Sequence, residues 1–216
     1  METQLYYIIM GDIITSRKKA DAGKMMSDFR DIINQANKEY ASGLLSPLTV
    51  TVGDEFQGVA ANLDSMVQIL FFLEEAFQLQ TELDLRYVLH YGRIETEINT
   101  KNSYEMYGSG LTFAHEKLEN YSRDQGRFSF SIEPDILSDH LQDAFFLYES
   151  LVDDWRDTDL DVIRTYLLHQ DYKSLFEQGM YKTRSGAWKK VQTLKLEEYL
   201  ALKRLITRSL SLAENK

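Results

Sequence analysis

The chain has 216 residues, 44% of them hydrophobic and 27% charged, a globular composition that excludes wholesale disorder. It contains no cysteine, which excludes disulfides and thiolate metal sites and fits a reducing, cytoplasmic setting. The net charge of −10 is uneven, −16 over residues 1–163 and +6 over residues 164–216, so two modules are expected: an acidic one that repels nucleic acid and a basic tail that attracts it, unless the tail is simply a solvated surface.

The first apolar run, Leu5–Met10, is too short for a signal peptide or a membrane span and reads as a buried central strand ending at Gly11-Asp12. Helical spacing follows through Met25, Phe29, Ile32, Ala36 and Tyr40, stopped by Gly43 and Pro47. Leu48, Val50 and Val52 alternate with Thr49 and Thr51 as a strand, Gly53-Asp54 offers a turn, and Glu55–Ala60 returns as a hairpin. Asn62 suits the N-cap of a helix carrying Met66, Ile69, Leu73 and Phe77. Leu83, Leu85, Tyr87, Leu89 and Tyr91 alternate as a further strand. Residues 95–107 are polar and predict a loop or hairpin, Gly110–Tyr121 a third helix, and Phe128–Ile132 a strand; Ala144–Tyr148 is assigned to one more strand. The main order, βαββαβαβ, resembles a ferredoxin-like α+β pattern with additions.

From residue 151 onward every pattern is helical, so the expected domains are 1–150 and a small all-helical 151–216. Thr158 and Asp161 suggest a capping box opening a helix through Ile163 and Leu167. A short helix around Tyr172–Gln178 ends at Gly179. Arg184–Lys195 and Leu196–Ala213 follow as helices, the last with a stripe of Leu202, Leu205, Ile206 and Leu210.

The chemistry-bearing feature is a pair of carboxylates, Asp12 after a buried strand and Asp54 at a hairpin tip, both at strand ends. If the two strands are neighbours, the carboxylates approach within a few Å and repel, and a divalent cation is the natural occupant. Mg2+ or Mn2+, held by one or two carboxylates plus phosphate oxygens, fits. The alternative is that Asp12 caps the next helix and Asp54 only serves the turn. His140 and His169 have no clustered partners, and His90 reads as a satisfied sheet histidine. There is no Walker A, G-x-S-x-G or G-x-G-x-x-G pattern.

Gly53-Asp54-Glu55-Phe56 matches the last four residues of the diguanylate cyclase GGDEF signature, with Val52 at its first glycine. Met10-Gly11-Asp12-Ile13 resembles the F-x-D-I segment of class III nucleotide cyclases, and Leu85–Gly92 is similar to their L-R-x-x-I-H-x-G strand. Gly108, Leu111 and Ala114 sit where that family has a W-G-x-x-V-N-x-A-x-R helix. Joined to a helix-turn-helix-like tail, these segments most closely resemble the SatD family of bacterial proteins, over nearly the whole chain.

The cyclase resemblance implies two divalent metals on Asp12, Asp54 and the backbone carbonyl of Ile13. It implies phosphate contacts from a turn over Ile14, Thr15, Ser16 and Arg17 at the start of the long helix. Gly53, Glu55 and Thr112 fall among its nucleotide contacts, and His115 lies nearby. The cyclase asparagine and arginine that stabilise the transition state correspond to Thr112 and Glu116. A missing cation there costs orders of magnitude in rate. The expected function is therefore a metal-dependent, nucleoside-triphosphate-binding, cyclase-like regulator without efficient cyclisation, working as a homodimer. The alternatives are an active nucleotidyl cyclase or phosphotransferase, or a DNA-binding regulator whose palm serves dimerisation.

For the DNA reading, Lys182, Arg184, Lys189 and Lys190 accompany an apolar anchor, Trp188, with Gly179 as the turn glycine. The competing reading of the tail is a helical packing module.

Overall fold

The computed structural model places β1, Leu5–Ser16, at the centre of a five-stranded sheet. Residues 4–16, 22–51, 53–81, 83–120 and 126–214 are described. Two units divide the chain, Met1–Gln142 and Asp143–Lys216.

In the first unit α1 (Ala22–Glu39), β2 (Leu44–Val50), β3 (Glu55–Ala60), α2 (Leu63–Gln80), β4 (Leu83–Arg93), α3 (Ser109–Glu119) and β5 (Phe128–Ser131) follow β1. The strand order is β2-β3-β1-β4-β5. β1 runs antiparallel to β3 and β4, and β5 joins β4 in parallel. The fold is thus mixed α+β.

Because successive strand residues face opposite sides, β1 serves two cores. Ile8 and Met10 join Val59, Val88, Leu111, Ala114 and Leu118 in a buried cluster beneath α3. On the other face an aromatic chain links Phe29 of α1 to Phe77 of α2 and Phe56 of β3, then runs through Tyr87 to Phe128. A Cβ on Gly11 would stand 2.6 Å from the Phe56 ring, so the glycine is what lets that ring lie across β1. Asn62 caps α2 by accepting from the Ser65 N–H at 2.8 Å, as its residue type predicts. The fully buried Glu74 of α2 is held by Arg127 at 3.0 and 3.1 Å; burial pushes its carboxyl up, and the guanidinium opposes this.

Two expectations are corrected here. β1 does not stop at Met10 but continues through Ser16, so Ile14, Thr15 and Ser16 belong to a strand paired with β4, not to a turn opening a helix. The β-branched Ile13-Ile14-Thr15 explains the extension. Arg17 and Val52 lie outside the described residues. Ala144–Tyr148 is not a strand but part of α4, Asp135–Val152. Leu141, Phe145, Tyr148 and Val152, all buried, carry its helical period.

Among the described residues the second unit is helical, with α5 (Leu160–His169), α6 (Tyr172–Glu177), α7 (Arg184–Thr193) and α8 (Leu196–Glu214) after the end of α4. Trp155 donates its indole N–H to the Leu194 carbonyl at 3.3 Å, and the Tyr148 and Tyr199 hydroxyls meet at 3.3 Å. Thr158 forms no capping box: α5 starts after a 3-10 turn, Asp157–Asp159, with no side-chain cap, and Asp159 instead pairs with Lys190 at 2.6 Å. Trp188 is 46% exposed and is not the anchor of α7; Ala187 and Val191, one turn apart, are. Among the described side chains of α8, Leu196, Tyr199, Ile206 and Leu210 are buried, while Leu205 is exposed. No described helix is long and apolar enough to cross a membrane.

Candidate functional site

Asp12 continues the Ile8–Met10 row onto the α3 side of the sheet. Its cross-strand partners are Glu55 on β3 and Arg86 on β4. The β2–β3 hairpin closes through Thr51, whose N–H donates to the Glu55 carbonyl at 2.9 Å, and Gly53 takes φ +84 at the tip, a conformation suited to glycine. The turn brings Asp54 back toward β1, where its carbonyl accepts from the Ile13 N–H at 3.2 Å. Asp54 is exposed and Asp12 is buried.

Arg86 clamps Asp12 with two parallel bonds, Nε to Oδ1 and Nη2 to Oδ2, both 2.5 Å. This is the fork geometry that suits a guanidinium to a carboxylate. Burial nevertheless pushes the Asp12 carboxyl above its ordinary range, the Arg86 hydrogen bonds and charge pull it back, and the Asp54 charge adds to the rise. Glu55 is also raised, first by burial; His115 opposes the shift and Asp12 and Asp54 reinforce it. The Asp54 charge thus reaches both Asp12 and Glu55. His115 Nδ1 stands 3.8 Å from Glu55, and its Nε2 stands 3.5 Å from Glu119.

Beside these acids a cavity of about 220 Å3 is lined by Thr51, Glu55, Gln57, Tyr104, Tyr107, Thr112 and His115, among others. The loop after β4 forms its far wall, tied down by Ser103, whose hydroxyl donates to the Gln57 carbonyl at 2.7 Å. Glu95 accepts from the N–H and hydroxyl of Ser109 at the start of α3. Asp12, Ile13, Gly53, Asp54 and Glu55 are therefore gathered where the start of β3 meets β1, with Thr112 lining the cavity. Ile14 stands in the strand, at the register shift between Ile13 and Thr15.

Among the described residues no group of three or more His, Asp or Glu side chains is set to hold a metal ion. The acids offer oxygen donors of the type Mg2+ and Mn2+ take, but both Asp12 oxygens are engaged by Arg86. Arg86 is the site residue that sequence reasoning left without a role. Its signal was alternation: in Leu85-Arg86-Tyr87 the arginine must face the side opposite the buried Leu85 and Tyr87. His90, as expected, is a satisfied sheet histidine: its Nδ1 lies 3.0 Å from the Ser131 carbonyl, and burial lowers its pKa.

In the second unit, α6 and α7 are joined through Gly179 at φ +75. Residues 178–183 separate the two helices, more than the three or four residues of a usual helix-turn-helix. Thr183 caps α7 by accepting from the Gly186 N–H at 3.1 Å. Lys182, Arg184 and Lys189 are exposed, with Arg184 over the Phe176 ring at 5.7 Å. Lys190 is turned to Asp159.

Among solved structures, the crystal structure of a guanylyl cyclase is similar at 11% identity and a TM-score of 0.35, covering 56% of this chain and 72% of that one. A comparison with curated proteins finds no match. The model of the SatD family matches residues 6–208. The chain belongs to the SatD family.

Proposed function

We propose that the first unit binds a nucleoside triphosphate together with Mg2+ or Mn2+ and acts as a regulatory sensor rather than an efficient cyclase. The observation that carries this reading is the buried Asp12 carboxyl, pushed up further by the Asp54 charge, with its cross-strand partner Glu55 lining a cavity. Asp12, Asp54 and the Ile13 carbonyl would hold the cation, which would draw triphosphate oxygens to the hairpin. Two protein carboxylates leave the remaining positions to phosphate and water, the usual arrangement for Mg2+. A cation must compete with Arg86 for Asp12, so the metal alone binds weakly and the nucleotide's charge completes the site. Thr112 and Glu116 supply no cation at the positions where cyclases stabilise the transition state, which supports sensing over turnover.

Calorimetry with GTP and ATP, each with and without Mg2+, tests the reading. Metal-dependent binding that is lost in Asp54→Ala is expected; binding unchanged in that variant overturns it. Chromatography of nucleotide recovered after long incubation is expected to show intact triphosphate, and a cyclic product overturns the sensor assignment.

A second reading concerns the other unit. The exposed Lys182, Arg184 and Lys189 around the start of α7 favour DNA contact at that helix. A mobility shift that weakens as salt rises, and that is lost when Lys182 and Arg184 become alanine, is expected. A shift independent of salt sinks it.

A further inference from the structure

Another cavity of the first unit, about 530 Å3, lies elsewhere, between the end of α3 and the β4–β5 edge. Among the described residues its charged lining is Arg86, Lys117 and Arg127, with no carboxylate. The rest is neutral: Asn120, Gly126, Ser129 and Gln142 among polar or small residues, Val88, Leu118 and Phe130 among apolar ones. This is an unusual grouping where residues 1–163 carry 13 Lys/Arg against 29 Asp/Glu. Two other cavities of the same unit follow the acidic bias, one with Glu55 and one with Glu133, Asp135 and Asp139.

We infer that this cavity is a binding site for a small phosphate-bearing molecule, distinct from the proposed cation site at Asp54. The volume lies in the range of small-molecule pockets, and a few fixed polar groups among apolar walls are their usual composition. The cations are graded in mobility. Arg127 is anchored by Glu74 and Arg86 by Asp12, so their guanidinium groups are held in place before a ligand arrives. Lys117 is exposed, with its ammonium 5.6 Å from the Phe113 ring, and can close over an anion on its flexible stem. Phosphate suits such a set, because fixed guanidinium and ammonium donors make short, charge-assisted bonds to its oxygens. Ser129 pairs in register with Val88 on the same wall and adds a hydroxyl.

The test is calorimetry with inorganic pyrophosphate in EDTA, which silences the cation site. Saturable binding is expected, weakened about tenfold or more in Lys117→Glu and in Ser129→Asp, the loss of one charge-assisted contact. Both substitutions lie at exposed or half-buried positions, and melting curves verify that the variants fold. Asp54→Ala is expected to bind pyrophosphate as the parent does, which separates this site from the nucleotide-cation reading. No saturable binding by the parent, an affinity within about twofold of the parent in either cavity variant, or loss in Asp54→Ala overturns the inference.

Discussion

Removing the guanidinium that clamps Asp12, in Arg86→Met, leaves a buried carboxylate facing Asp54 and Glu55 with no counter-charge on β4. The side chains of the pair are 9% and 20% exposed, so the penalty belongs near the lower end of the range for breaking a buried ion pair, about 3 kcal/mol. For a unit of this size that lowers its melting temperature by about 6–12 °C near neutral pH. The dependence on pH follows from the direction of the Asp12 shift, which is already upward and loses the two downward influences of Arg86 in the variant. A carboxyl with a raised folded-state pKa contributes stability that is fully present below the unfolded pKa and is lost as pH rises through the folded one. The variant therefore suffers most where Asp12 must ionise, and its deficit narrows as pH falls toward about 5, because a protonated Asp12 needs no partner. Melting followed by circular dichroism in EDTA over that range is the assay. A shift below about 3 °C, or a deficit equal at both ends of the range, refutes the reasoning.

Other consequences are as direct. Arg127→Met strands Glu74, which is 1% exposed, and is expected to cost about 3–5 kcal/mol in urea unfolding, whereas adding Glu74→Leu recovers most of the loss; equal stability of the single and double variants contradicts this. In the second unit Val191→Ala destabilises by about 1–3 kcal/mol and Trp188→Ala by less than about 0.5 kcal/mol, the reverse of what residue size suggests; denaturant midpoints decide. Because Asp12 and Glu55 are both raised, protons compete with a cation there at higher pH than at an ordinary carboxylate. Mg2+-nucleotide affinity is accordingly expected to fall as pH is lowered through the mildly acidic range, and titrations showing a flat profile down to about pH 4 count against Asp12 as a ligand.

What the sequence made legible was local. The alternation of β4, the capped apolar helix after Asn62 and the glycine turn at the hairpin are periodic or punctuated patterns, and the chain adopts them. The Asp12–Arg86 pair depends on register between strands 74 residues apart, which no local pattern encodes. Misplaced elements came from giving residue type more weight than period. The run Phe145-Phe146-Leu147-Tyr148 has strand-forming residues, yet Leu141, Phe145, Tyr148 and Val152 repeat every three to four positions. Trp188 attracted the anchor role by size, while the smaller Ala187 and Val191 had the one-turn spacing that packs. Ile13-Ile14-Thr15 erred the other way, since the glycine before Asp12 suggested a stop that three β-branched residues overrode.

Arg86 belongs to both candidate sites, since it binds Asp12 and lines the cationic cavity. A phosphate in the cavity shares with Asp12 the charge of the guanidinium that Asp12 holds, and a cation on Asp12 competes with the guanidinium for the carboxylate. Each ligand thus weakens the contact that opposes the other, and binding of the two is expected to be mutually favourable, as linkage requires of any such coupling. The measurable quantity is the shift in melting temperature produced by Mg2+ with and without inorganic phosphate. A combined shift larger than the sum of the two is expected for the parent, and a merely additive one for Arg86→Met, in which the shared group is gone. Strict additivity in the parent would mean that the guanidinium stays on Asp12 whatever occupies the cavity, and the two sites would then be independent.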